Sequence, residues 1–194
     1  MEARMAGVSR LNIKERLIDA GLKELLEHGY ENFSLRRVAS SLEVSCASPY
    51  RYFKDKSELV HAVVLKMREN WLLLTKSISE FSPVTEPSYV AELLVAGMRF
   101  WVAGNLFAQL LAIGEVSAFD EPIIAALGTM AHSRGISKEI SDALALELIG
   151  LMYGEITLVL LNRHSAQDAA ALLRSSATEK IEYCFDKIGA RSKA

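Results

Sequence analysis

An all-α protein in two helical parts is what this sequence predicts, and three features carry that expectation. Apolar residues recur at three- and four-residue spacing along almost the whole chain, the period of an amphipathic helix, and no region reads as strand-rich. Serine, asparagine, glycine and proline interrupt the periodic runs where helices need caps or stops. The composition, 51% hydrophobic and 24% charged over 194 residues, is that of a folded globular chain rather than a disordered one.

Taken in order, residues 12–28 form a first helix. Leu17, Ile18, Leu22, Leu25 and Leu26 fall on one side and Lys14, Lys23 and Glu27 on the other. Gly29 follows, where a left-handed backbone costs glycine little. Ser34 offers its hydroxyl as N-cap of a second helix whose short apolar face is Leu35, Val38, Ala39 and Leu42. After a tight turn at Leu42-Glu43-Val44, Ser45 opens a third short helix through Phe53. Asp55 caps a fourth, with Glu58 at the third helical position in the manner of a capping box, running to about Ile78. Residues 81–88 hold two of the four prolines and form a connector. Helices are expected near 88–104, 106–117, 121–133, 138–162 and 166–188, separated by Gly135, Ser137, Asn162 and Ser165 and closed by Gly189.

Charge and chemistry exclude several functions. The net charge is −2, but residues 1–68 carry +3 and the remainder −5, a basic head on an acidic body. Cys46 and Cys184 stand far apart and make neither a metal-ligand pattern nor a disulfide framework, which suits a reducing cytoplasm. His28, His61, His132 and His164 lack metal-ligand spacing, so no metal or other cofactor is expected. The first ten residues hold no apolar run, so no signal peptide is expected. The stretch Leu93–Gly114 is apolar enough to raise the question of a membrane span, but Arg99 lies inside it. A charge at mid-membrane costs roughly 2.5 kcal/mol or more, so this stretch reads as buried core helices. No nucleophile–base pair, metal cluster or phosphate loop supports an enzyme.

The second and third helices carry the positive signal. Two short helices joined by a three- or four-residue turn have the geometry that lays the second helix in a DNA major groove. Ala39 is the small residue where they pack, and Val44 plugs the space between them. The third helix begins with the short side chains of Ser45, Cys46, Ala47 and Ser48, better suited to touching a thymine methyl than to a bidentate base contact. Cys46 reads as a small residue facing DNA in preference to a redox thiol. Tyr50, Arg51 and Tyr52 follow with hydroxyls and a guanidinium at phosphate height, Arg51 being the candidate for sequence preference. Phe53 turns inward. Lys54, Lys56 and the first N–H groups of the fourth helix make a phosphate clamp, and Ser34, Arg36 and Arg37 complete the DNA-facing set.

Residues 13–64 resemble the DNA-binding domain of TetR-type (TetR/AcrR) repressors. The resemblance rests on Ile18-Asp-Ala-Gly-Leu, Gly29-Tyr-Glu-Asn-Phe-Ser-Leu-Arg-Arg-Val-Ala, Val44-Ser45 and Tyr50-Arg-Tyr-Phe-Lys-Asp-Lys-Ser-Glu-Leu59, in that order and spacing. It implies a helix-turn-helix domain over residues 10–56 and, over 57–194, a helical body entered by a long helix that binds a small molecule and dimerises. Two residues depart from the family pattern. Glu43 stands where glycine is usual and a positive φ is needed. Pro49 stands where a larger apolar residue is common, and its missing N–H predicts a recognition helix that starts irregularly, with α geometry only from about Ser48.

In the body, the expected ligand wall is Trp71, Met98, Arg99, Trp101, Phe107, Gln109, Met130 and Met152, with Glu115 a further polar contact. Arg99 would need an acidic partner or anionic ligand if buried. The last two helices are the expected dimer interface, through Leu148, Gly150, Leu151 and Gly154 on one and Ala170, Leu173, Ala177 and Ile181 on the other. The functional expectation is a homodimeric regulator, usually a repressor, that holds a palindromic double-stranded operator and is released by a small apolar or amphipathic effector. A DNA-binding adaptor governed by a protein partner is the alternative.

Overall fold

The computed structural model of the chain describes residues 2–104 and 106–191, and every regular element among them is helical. The α-helices are α1 (Glu2–His28), α2 (Leu35–Ser41), α3 (Lys56–Ser79), α4 (Pro87–Gly104), α5 (Phe107–Ala112), α6 (Glu121–Ser133), α7 (Lys138–Leu160) and α8 (Ala166–Arg191). Short 3₁₀ turns occupy Pro49–Arg51 and Val116–Phe119. The chain divides into two compact units at Asn70/Trp71.

That division corrects the expected boundary at 56/57. The first half of α3 buries Leu59, Val60, Val63, Val64 and Met67, and α1 approaches it closely at Gly21. A Cβ on Gly21 would lie 3.2 Å from Val63 and 3.3 Å from Leu59. Those α3 residues complete the core of the head, which otherwise holds Leu17, Leu25, Phe33, Leu35, Val38, Ala39 and Phe53.

The capping chemistry of the head follows the sequence closely. The Arg37 N–H donates to the Ser34 hydroxyl at 3.4 Å, and Gly29 takes φ 72° beyond the end of α1. At the start of α3, the Glu58 N–H donates to the Asp55 carboxylate (3.0 Å) and the Lys54 N–H to the Glu58 carboxylate (2.5 Å). Of the N–H groups at this helix start, that of Glu58 is thus held by a carboxylate.

Glu43 adopts φ 57°, as the turn demands. A left-handed backbone costs an L-residue about 1 kcal/mol, while glycine brings some extra freedom to the unfolded chain, so Glu43→Gly is expected to stabilise the head by about 0.5–1 kcal/mol. Urea denaturation checks this; an unchanged or lower midpoint contradicts it.

In the second unit α4 is central, packing on α6, α7 and α8. Leu93, Leu94, Val95, Met98 and Trp101 are buried, whereas Arg99 is exposed and needs no buried partner. The helix expected over 106–117 is split. α5 stops at Ala112, Gly114 takes φ 77°, and the 3₁₀ turn follows. An aromatic cluster fills the space beside α4. Trp101 and Phe119 meet at 4.7 Å between ring centroids, Trp71 and Phe100 at 5.7 Å, and Phe107 and Tyr153 at 5.2 Å. The Trp71 indole N–H donates to the Phe119 carbonyl at 2.9 Å. Next to it the Tyr153 hydroxyl donates to Asp120 at 2.5 Å; burial pushes the Asp120 carboxyl up and this hydrogen bond opposes the shift.

α7 is long and apolar enough to cross a membrane by length and composition alone. It nevertheless buries Leu144, Leu148, Met152 and Ile156 within the unit, against α4, α6 and α8. Its buried Glu155 holds His164 at 2.5 Å across the α7–α8 turn, where Asn162 takes φ 54°. Arg174 on α8 reaches Glu92 on α4 through two bonds of 2.6 and 3.2 Å.

Candidate nucleic-acid interface

The interface is built upward from the turn between α2 and the 3₁₀ segment. Val44 N–H donates back to the Ala39 carbonyl (3.1 Å), folding the chain over at Glu43. Pro49 has no N–H to offer the Ser45 carbonyl; the Ser48 N–H takes that acceptor instead at 2.8 Å. The chain then winds as a 3₁₀ turn, with Arg51 N–H on Ser48 and Tyr52 N–H on Pro49. The irregular start expected from Pro49 is present. The α geometry expected from Ser48 is not, because each donor pairs three residues back until Phe53, whose N–H reaches the Pro49 carbonyl at 2.9 Å.

This winding leaves Ser45, Cys46 and Ala47 exposed, with Ser48 half-buried and Phe53 buried. Tyr50 is 61% exposed, and Arg36, Arg51 and Lys54 are exposed too, while Tyr52 and Ser34 are half-buried. Phe33, Ser34, Leu35, Arg36, Tyr50, Asp55 and Lys56 line one concave patch on this surface. Small uncharged side chains thus stand next to cationic ones, the arrangement in which phosphate contacts position and short side chains meet base edges.

Two of the expected phosphate contacts are engaged within the head. Arg37 donates from Nε to Glu24 at 2.8 Å and from Nη2 to the Asn32 carbonyl. Arg37 is exposed on this surface, with Nε and Nη2 of its guanidinium directed at the protein. Lys56 donates from Nζ to the Tyr30 carbonyl at 2.8 Å and lies 4.3 Å from the centre of the Tyr30 ring. It borders the patch but is anchored inward. Glu24 was not foreseen as part of this surface. A carboxylate on the apolar side of α1, between Leu22 and Leu25, was the available signal.

In the second unit the expected ligand wall is scattered between core and surface. Trp71, Met98, Trp101, Phe107, Met130 and Met152 are buried; Gln109 and Glu115 are half-buried and Arg99 exposed. The dimer face is corrected more sharply. Leu148, Ala170, Leu173, Ala177 and Ile181 are buried inside the single chain, because α4 and α7 already cover that side of α8. A partner cannot reach them. Gly150 and Gly154 are exposed and Leu151 half-buried. On α7 and α8 the exposed large apolar residues include Leu146, Leu158 and Tyr183 instead, with Leu161 just beyond the end of α7. Cys184, expected as buried filler, is half-buried beside a groove lined also by Ile140, Ala143 and Glu147.

A short helix, a tight turn and an exposed recognition segment on a three-helix head, followed by a helical body, define a helix-turn-helix protein. Residues 17–63 match the family model described as bacterial regulatory proteins, tetR family. It is 31% identical over 67 residues to an HTH-type transcriptional regulator of Staphylococcus aureus strain USA300, a match covering 34% of this chain and 36% of the relative. The chain thus spans about a third of the length of the curated relatives it matches. Likeness of fold extends further. A TetR transcriptional regulator from Legionella pneumophila superposes with a TM-score of 0.68 at 20% identity, covering 86% of this chain and 96% of the other. The transcriptional regulator FadR from Bacillus subtilis, solved with stearoyl-CoA, superposes at 0.61 and 17% identity, covering 86% and 96%. At such identities these two likenesses speak for the fold alone.

Proposed function

We propose that this protein is a transcriptional regulator that binds a palindromic double-stranded operator as a homodimer, acting as a repressor in the cytoplasm. The observation that carries this reading is the exposed Ser45–Ala47 run with Tyr50, Arg36, Arg51 and Lys54 around it on one rigid head. One head makes few base contacts, so two heads on successive half-sites supply the needed affinity. The exposed apolar residues of α7 and α8 are the surface through which two copies meet.

Control by a small apolar or amphipathic effector is the second part of the proposal. The stearoyl-CoA held by the Bacillus subtilis regulator in the same fold and the aromatic interior of this body support it. Such a ligand must bind the two head spacings with different affinity, or it shifts nothing. The expected wall favours the alternative in one respect. Its Trp101 ring already lies 6.1 Å from Phe107 and 4.7 Å from the neighbouring Phe119 between centroids, so a ligand there must part them, whereas a protein partner at the surface need not.

The test is to sequence the fragments this protein enriches from a random DNA pool, then titrate the enriched fragment at several salt concentrations. An inverted repeat is expected. Arg36→Ala and Lys54→Ala each remove about one phosphate contact per head, so the slope of log K against log salt should fall by about two for the dimer. No enrichment, or slopes equal to wild type, overturns the assignment. Displacement of that DNA by stearoyl-CoA or shorter acyl chains tests the effector part separately.

A further inference from the structure

Resting on the reading of residues 34–56 as a DNA-facing surface, we infer that Glu24 and Arg37 form a positioning pair that holds the start of α2 against DNA without touching it. Glu24 is 6% exposed, and its carboxylate accepts the Ser34 N–H at 3.0 Å and Arg37 Nε at 2.8 Å. Arg37 Nη2 lies 2.5 Å and His28 Nδ1 3.3 Å from the same carboxylate. Arg37 Nη2 also donates to the Asn32 carbonyl, and the Arg37 N–H to the Ser34 hydroxyl. Residues 32–37 are therefore closed into a loop fastened to one carboxylate on α1.

The consequence lies in what this loop carries. Ser34 caps α2 and Arg36 stands exposed on its first turn, beside Tyr50 and Lys56 on the concave patch. With the loop loosened, the direction of α2 and the reach of Arg36 are no longer fixed. A planar guanidinium can bond a carboxylate and a carbonyl at once, whereas an ammonium carries the same charge without the fork. Charge and geometry are thereby separable.

The experiment uses the full-length protein and the DNA fragment that wild type enriches. Variants are Arg37→Lys, Glu24→Gln and the double variant, all assayed below their melting temperatures. Arg37→Lys is expected to weaken binding about tenfold although the charge is kept. Glu24→Gln should do the same, and the double variant should lose no more than the weaker single one, because both act through one element. Exchange of the Ser34 amide hydrogen should quicken in each variant. Wild-type affinity in Arg37→Lys, or losses that add in the double variant, overturns the pair in favour of a direct phosphate contact. If Glu24→Gln does not fold, Arg37→Lys decides alone, since it leaves the buried carboxylate a cationic neighbour. A wild type that enriches no DNA overturns the DNA reading itself, an outcome distinct from binding that is indifferent to Arg37→Lys.

Discussion

Trp71→Ala is expected to lower the stability of the second unit by about 3–5 kcal/mol, the range for emptying a large aromatic site in a packed core. Trp71 is 2% exposed. Its ring lies against Phe100, and a Cβ added at Gly97 would meet its Cη2 at 3.6 Å. Removing the indole opens a void that α4 cannot close without moving Met152, already the nearest neighbour of that glycine position. It also strips the Phe119 carbonyl of the N–H that reaches it at 2.9 Å, and an unsatisfied buried acceptor adds about 1–3 kcal/mol. The cost is near the whole stability of an ordinary domain, so circular dichroism should show the 71–194 unit largely melted at temperatures where the head still gives its helical signal. Trp71→Phe separates the two contributions: it keeps most of the packing and loses only the donor. A melting curve for Trp71→Ala that coincides with wild type would mean that the site is an open ligand wall rather than core.

The contrast between the two units explains what was legible in the sequence. The starts of α2, α3 and α8 fell where expected because their signals are local: Ser34, Asp55 with Glu58, and Ser165, whose hydroxyl accepts the Asp168 N–H at 3.0 Å, each act within four residues. The positive φ at Glu43 was legible for the same reason. Facing was less legible. Leu173, Ala177 and Ile181 make one clean stripe on α8, and a stripe records only that something covers it. Whether the cover is α4 of the same chain or a second copy depends on the tertiary arrangement, and here it is the same chain. The internal partners of Arg37 were hidden by a related route. Adjacent arginines on a DNA-binding element look equivalent in sequence, yet they point about 100° apart around a helix. One of them meets Glu24, thirteen residues away on another helix.

Ala47→Glu is expected to weaken operator binding at least a hundredfold while leaving the head folded. Ala47 is exposed, in the segment where Ser48 N–H closes on the Ser45 carbonyl. Its own N–H rests on the Ser45 hydroxyl at 3.3 Å, so the backbone there does not depend on the methyl group. A carboxylate at this point would enter the groove between two rows of phosphates. Like charges brought together at an interface cost several kcal/mol, and each 1.4 kcal/mol is about tenfold in affinity. In a dimer both heads carry the charge, so a cost of only about 1.4 kcal/mol per head already gives a hundredfold loss. Ala47→Ser is the control: it keeps the size class of Ser45 and Cys46 and should change sequence preference more than affinity. Binding of the enriched fragment by fluorescence anisotropy, with melting curves alongside, reads both. If Ala47→Glu bound as tightly as wild type, the Ser45–Ala47 run would lie outside the groove, and recognition would have to be carried by Tyr50 and Arg51 from the other end of the turn.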